Sequence, residues 1–147
     1  MATVAKNSVY GYNDFLVLFD DTIAASAKAS PGVSIALIDI DWFGKLNDEY
    51  GREIGNAVIE DLANLLRSTI QDFGQLFRYG GDAFMVLFSE LEKEQAFLQI
   101  EEARKQFNRP REIKSDLTTV SVDVTISCGV AAFPDDGAKS KDVIRKC

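Results

Sequence analysis

Apolar positions change their period several times along this chain, and each change marks an element. Over residues 13–29, Phe15, Leu16, Leu18, Phe19, Ile23 and Ala24 form a broad apolar face at helical spacing, closed by Ser30-Pro31-Gly32. Residues 33–40 are a nearly continuous apolar run, the pattern of a central strand covered on both faces. Two carboxylates, Asp39 and Asp41, stand at its end, where the apolar logic of a strand asks for none. A short helical turn is expected after Asp41, stopping near Gly51. From Ile54, the stripe Val58, Leu62, Leu65, Leu66 and Ile70 predicts a longer helix. Residues 75–79 and 82–88 flank Gly80-Gly81, the composition of a two-residue hairpin whose turn needs positive φ. A second amphipathic helix carries Ala96, Phe97, Ile100, Ala103 and Phe107. Val120, Val122, Val124, Ile126, Cys128 and Val130 then alternate with polar or small residues, which predicts one long strand with a single buried face. Ser140 is placed to cap a last helix, cut short about two turns later at Cys147.

The resulting order is helix, then strand–helix–strand–strand–helix–strand, then a helix fragment. The inner six elements fit a split βαβ plan: an α+β, ferredoxin-like antiparallel sheet with strand order 4-1-3-2, helices on one face and an added N-terminal helix. In that plan the first and third strands are antiparallel neighbours. Asp39 closes the first and Asp82 opens the third, so the two carboxylates should meet at one edge of the sheet. With no metal between them they repel, and one should have a raised pKa.

Composition narrows the chemistry. The 147 residues predict a single domain over residues 1–147, with 46% hydrophobic and 27% charged positions in an ordinary globular balance. There is no His, which excludes Ser-His-Asp and Cys-His catalysis and His-ligated zinc. Two Cys cannot build an all-cysteine zinc site or a disulfide framework, and Cys128 reads as a buried thiol. Catalysis would have to rest on carboxylates, Lys and Arg, backbone groups and a hard metal such as magnesium. The net charge of −7 argues against a nucleic-acid partner. No signal-peptide core or membrane-length apolar run is visible, which predicts a cytoplasmic domain, free or tethered to a membrane sensor, with no direct insertion.

Two Asp converging beside a Gly-Gly turn suit a magnesium–triphosphate site, since magnesium takes one or two protein carboxylates and completes its octahedron with water and phosphate oxygens. Backbone N–H groups opening the helix after Asp41 are suited to holding phosphates. Plainer readings stand beside these: Asp41 as a helix cap, and Gly80-Gly81 as an ordinary hairpin turn.

Leu37-Ile38-Asp39-Ile40-Asp41-Trp42-Phe43, Leu46-Asn47-Asp48-Glu49-Tyr50-Gly51, Ile54-Gly55, Arg78-Tyr79-Gly80-Gly81-Asp82-Ala83-Phe84 and Ser127-Cys128-Gly129-Val130 together resemble the GGDEF domain of diguanylate cyclases, in order and in spacing. The resemblance runs from about Val33 to the end of the chain. It implies the split βαβ fold, akin to the palm of nucleotide cyclases. It also implies a reaction that condenses two GTP into cyclic di-GMP and two pyrophosphates across a homodimer, with two Mg2+ or Mn2+ ions in the family. By that resemblance Asp39 and Asp82 are the metal-binding and catalytic carboxylates, with the Ile40 carbonyl a further metal ligand. Gly80 and Gly81 let the backbone approach the nucleotide, the amides of Asp41, Trp42 and Phe43 hold phosphates, and Asn47 contacts the guanine.

Several positions depart from the family pattern. Ala83 replaces the Glu of the signature, and Asn56 replaces an Asp that reads the guanine edge. Gly44 stands where a Lys is common. The upstream Arg-x-x-Asp inhibition motif reads Gln71-Asp72-Phe73-Gly74, and the N-terminal motif survives as Gly11-Tyr12-Asn13 without its Arg. The phosphate-binding Lys and Arg of the last helix would lie beyond Cys147. These losses favour a nucleotide-binding regulatory module with weak or no turnover, holding one metal ion, over a working cyclase. The retained Asp39, Asp82, Asn47 and glycines argue against a ligand-free interaction domain. Asn56 has two readings: a helix N-cap, or a base contact that weakens guanine selectivity and admits adenine.

Overall fold

The computed structural model describes residues 11–26, 32–71, 73–114, 118–137 and 139–145. The chain runs α1 (Tyr12–Ser26), β1 (Val33–Ile40), α2 (Phe43–Tyr50), α3 (Arg52–Ile70), β2 (Gln75–Tyr79), β3 (Ala83–Phe88), α4 (Lys93–Phe107), β4 (Arg111–Lys114), β5 (Thr119–Val122), β6 (Ile126–Phe133) and α5 (Ser140–Arg145). Residues 30 and 31, expected to close the first helix, lie outside the described residues, as do Asp72, Cys147 and the side chain of Ser140.

Four strands form an antiparallel sheet in the order β2-β3-β1-β6, the 4-1-3-2 order expected of the four principal strands. Period two explains how β1 serves two cores. Ala36, Ile38 and Ile40 pack on one face with Val58, Leu62 and Leu66 of α3 and Ile100 and Phe107 of α4. Val33 and Ile35 face the other way, onto Phe15 and Phe19 of α1, Phe77, Met85 and Val143 of α5. The inner helices α3 and α4 share one face, as the split βαβ plan expects, and the added helices α1 and α5 cover the second. The aromatic side chains of α1 require it, since Phe15 and Phe19 are fully buried and Phe15 meets Phe77 edge-on at 5.3 Å between centroids.

The long final strand is also corrected. Residues 119–122 form β5, which pairs with β4, a strand the apolar pattern did not reveal; only residues 126–133 join the main sheet. The alternation runs through both because Val120, Val122, Val124, Ile126, Cys128 and Val130 all turn toward the core beneath α3 and α4. Strand β4 offers only Ile113 to that core, too little to register as a period. It is fixed instead by Arg111, which pairs with Asp61 of α3 at 2.5 Å and lies 4.9 Å over the Phe107 ring. Cys128, expected to be buried, is only partly so. Burial still pushes its thiol up to about 12, so it stays protonated at neutral pH.

Candidate active site

Antiparallel pairing of β1 with β3 sets Asp39 directly opposite Ala83, and the Ile40 N–H donates to the Asp82 carbonyl at 3.1 Å. Asp39 and Asp82 thus reach one rim of the sheet, close enough for each carboxyl to feel the other. The pKa of Asp39 is raised, first by partial desolvation, then by the negative charges of Asp82 and Asp41 and by the hydrogen bond with Asp82; the Ile40 N–H opposes the shift. Among the described residues no Lys or Arg forms an ion pair with either carboxylate. Nor do three or more His, Cys, Asp or Glu side chains gather into a metal cluster among those residues. Two carboxylates beside the Ile40 carbonyl nevertheless fit magnesium, which draws its remaining ligands from water and phosphate.

The turn after Asp82's partner strand is tighter in composition than in geometry. Tyr79 pairs with Ala83, so Gly80, Gly81 and Asp82 form a three-residue turn rather than the expected two-residue one. Gly80 alone among them takes positive φ, at 72°. Arg78 fastens this turn, donating from Nε to the Gly80 carbonyl at 3.2 Å and from Nη2 to the Gly81 carbonyl at 2.6 Å.

Asp41 behaves differently from its neighbours. Its Oδ2 accepts from Thr125 Oγ1 at 2.7 Å and its Oδ1 from Ser127 Oγ at 2.6 Å. Its N–H, one of the amides expected to meet phosphate, donates to the Thr125 carbonyl at 2.9 Å. It is not a helix cap: Trp42 occupies the N-cap of α2 in the left-handed region (φ 58°, ψ 36°), with no side-chain cap bond. Trp42 is 81% exposed, and the amides of Trp42 and Phe43 have no acceptor among the described residues. They open α2 at the rim occupied by Asp39 and Asp82.

On the next turn of α2, the Oδ1 atom of Asn47 is buried without a hydrogen-bond partner. It lies against Gly55 of α3, where an added Cβ would stand 1.7 Å from that oxygen and 3.3 Å from Cζ of Phe43. Gly55 is therefore what allows the amide its position. Asn56, the next residue, is exposed in the second turn of α3, whose N-cap is Gly51. The capping reading of Asn56 is corrected by this placement.

The structure thus brings Asp39, Ile40, Asp82, Gly80 and Gly81 to one rim, with the α2 N-terminus following directly from β1. The sequence alone assigns no role to Gly55, Thr125 or Ser127. Gly55 carried a signal in the Ile54-Gly55 pair, whereas Thr125 and Ser127 looked like the outward residues of a strand.

The family model for the diguanylate cyclase GGDEF domain matches residues 11–147. The chain belongs to the GGDEF family. This GGDEF domain is 31% identical over 125 residues to Diguanylate cyclase A of Treponema denticola, covering 85% of the chain and 33% of the relative. Among solved structures, the GGDEF domain of YfiN from Pseudomonas aeruginosa superposes with a TM-score of 0.85 at 21% identity, covering 94% of this chain and 84% of that one. The GGDEF domain of FimX from the same organism gives 0.84 at 23% identity, covering 99% and 88%. These two likenesses establish the shared fold. The chain spans a third or less of the length of the first curated relatives it matches. No helix among the described residues is long and apolar enough to cross a membrane.

Proposed function

We propose that this GGDEF domain binds a purine nucleoside triphosphate with magnesium at the β1–β3 rim and acts as a regulatory module, with weak or no turnover to cyclic di-GMP. The observation that carries this reading is the register of β1 against β3. It keeps Asp39 beside Asp82, and it sets the methyl of Ala83 opposite Asp39 where the family signature has a carboxylate.

Asp39, Asp82 and the Ile40 carbonyl would hold the ion, one rather than the family's two because of Ala83. Magnesium or manganese supplies Lewis-acid stabilisation of phosphate oxygens. Trp42 and Phe43 would donate their amides to the terminal phosphates, aided by the positive end of α2. The Asp41 amide is already bonded to Thr125, so its expected share of the phosphate would require that bond to open. The buried Asn47 oxygen would accept from the base, which resolves an otherwise unsatisfied polar atom. Asn56 brings an amide where a carboxylate would accept from both N1–H and the amino group of guanine. An amide accepts once and donates once, a pattern that also suits adenine. Sensor or output domains of a longer polypeptide would be the regulated partners, and a homodimer would be required for any cyclase activity.

Calorimetric titration of GTP and ATP, with and without magnesium, tests the binding reading. Both nucleotides should bind only with the metal, within about tenfold of each other, as expected from an unpaired donor worth about 1–3 kcal/mol. A GTP preference above about a hundredfold that persists in Asn56→Asp would remove Asn56 from base recognition. A second reading, an active cyclase within a longer protein, is favoured by the identity to Diguanylate cyclase A. Mass spectrometry of GTP reactions separates them: robust cyclic di-GMP from the unaltered chain replaces the regulatory reading. Product appearing only with Ala83→Glu supports it. Absence of any magnesium-dependent nucleotide binding would leave an interaction domain that keeps only the fold.

A further inference from the structure

The Gly11-Tyr12-Asn13 segment has no part in the rim site described above, yet the fold carries it there. The Gly11 N–H donates to Asp14 Oδ2 at 3.1 Å and the Phe15 N–H to the Gly11 carbonyl at 3.1 Å, so α1 is fixed from its first turn. That turn packs on β2 through a run of rings. Phe15 lies 5.5 Å from Phe19 and 5.3 Å from Phe77, and Tyr12 lies 4.7 Å from Tyr79 with the ring planes tilted by 57°. Three residues of helix rise about 4.5 Å and two residues of strand about 6.7 Å, steps close enough for α1 to meet β2 ring by ring. The pKa of Tyr12 is raised, first by burial and then by the charge of Tyr79, so at neutral pH its contact is one of rings rather than charges.

Residues directly opposite one another in antiparallel strands share a face of the sheet. Tyr79 stands opposite Ala83, and Ala83 opposite Asp39. Asp39 has the parity of Val33, Ile35 and Leu37, so this row lies on the face that α1 covers. Tyr12 therefore rests on one end of the row that carries Asp39, with only the small side chain of Ala83 between Tyr79 and the carboxylate. Tyr79 is also the last residue of β2, and Gly80, Gly81 and Asp82 follow it directly. Beyond Tyr79 the turn runs through open space: no atom among the described residues lies within 4 Å of where a Cβ would stand on Gly80 or Gly81. It is held by the two Arg78 bonds, by the Ile40–Asp82 bond, and at its root by Tyr79.

We propose that Tyr12 is a positioning residue for the β1–β3 rim: its ring holds Tyr79, and Tyr79 holds the turn that sets Asp82 beside Asp39. With α1 docked, the two carboxylates keep the spacing that a shared cation needs. With Tyr12 displaced, Tyr79, already 40% exposed, loses its ring partner and the root of the turn loosens. α1 is then the element through which occupancy of the site is regulated. That consequence rests on the nucleotide-binding reading above, whereas the hold on the turn rests on the ring contact alone. A ring pair of this kind biases an equilibrium about two- to tenfold, which sets the size of the effect.

The test uses the full chain and reads the rim in two ways. Exchange of the Ile40 N–H, bonded to the Asp82 carbonyl, reports the rim without any ligand, while exchange of the Leu62 N–H in α3 reports opening of the whole fold. Calorimetric titration of GTP in magnesium reports the site. Tyr12→Ala should speed Ile40 exchange about two- to tenfold beyond any change at Leu62, and lower GTP affinity by a similar factor. Tyr12→Phe, which keeps the ring, should restore both. Tyr79→Ala should match Tyr12→Ala, and the double variant should be no worse than either single one. Phe19→Leu alters a buried ring two turns further along α1; it should lower the melting temperature more than Tyr12→Ala yet leave both readouts unchanged. Unchanged Ile40 exchange in Tyr12→Ala and Tyr79→Ala overturns the proposal. So do additive effects of those two variants, or an equal effect of Phe19→Leu, either of which would make Tyr12 an ordinary packing residue. A wild-type chain that binds no GTP in magnesium refutes the nucleotide-binding reading instead, and Ile40 exchange then decides the positioning role by itself.

Discussion

Asp39 and Asp41 lie two residues apart on the same strand end, yet the fold treats them in opposite ways. Asp41 is tied by two hydroxyls, Thr125 and Ser127, and its backbone is tied to Thr125 as well. Asp39 faces another carboxylate, Asp82, and its pKa is raised. One carboxylate stabilises the link between β1 and the segment entering β6, while the other pair is held in a mutually unfavourable arrangement. Unfavourable local electrostatics kept in place by a rigid sheet are what the proposed cation site would draw on, whereas the satisfied electrostatics of Asp41 serve as a joint. Adjacent residues of one type can therefore serve binding and architecture separately, and only their partners distinguish them.

The largest effect should come from breaking the unsatisfied pair. Asp39→Asn or Asp82→Asn should lower magnesium-dependent nucleotide affinity by at least about a hundredfold, judged against the 10–100-fold typical of losing mere outer support of a metal. The same variants should leave the melting temperature unchanged or slightly higher in metal-free buffer, because a repulsion has been removed. A fall in stability there would mean that the pair is structural after all.

Gly55→Ala should come next. Its Cβ would displace Asn47, and calorimetry should show a drop in nucleotide affinity of about five- to a hundredfold, the loss of one buried hydrogen bond. Unchanged affinity would remove Asn47 from the site.

Asp41→Ala should do the reverse of Asp39→Asn. Losing two charge-assisted hydrogen bonds at a partly exposed position should cost about 1–2 kcal/mol and lower the melting temperature by about 2–8 °C, read by scanning calorimetry. Thr125→Val and Ser127→Ala should each give about half of that.

The smallest effect is a pH dependence. A carboxyl whose folded-state pKa is raised binds more protons in the native than in the unfolded state between the two pKa values. Stability contributed through Asp39 therefore falls as pH rises from its unfolded value, about 3.9, through the raised folded one. The difference between the wild-type and Asp39→Asn stability curves should be absent below that window and favour the variant above it. A difference that grows in favour of the wild type as pH rises would contradict the sign of the Asp39–Asp82 interaction.

Much of this site could be read from residue order. The run ending in Asp39 and the turn around Gly80-Gly81 identified β1, β2 and β3 closely, because strong period-two and turn signals are local. The meeting of Asp39 with Asp82 followed from strand order alone, since antiparallel neighbours must bring the end of one beside the start of the other. The hairpin of β4 and β5 escaped because the alternation that marks β5 passes unbroken into β6, and nothing local records a change of partner.

Sequence by itself thus determined the helices, the four principal strands with their order, and the family, all of which rest on short-range periodicity and on motifs of fixed spacing. Tertiary structure decided that α1 and α5 cover the second face, that Asp41 is spent on Thr125 and Ser127, and that Asn47 needs the bare backbone of Gly55. Each of these depends on contacts between residues far apart in the chain, such as 41 with 127 or 15 with 77. No local pattern encodes a partner that folding brings from elsewhere.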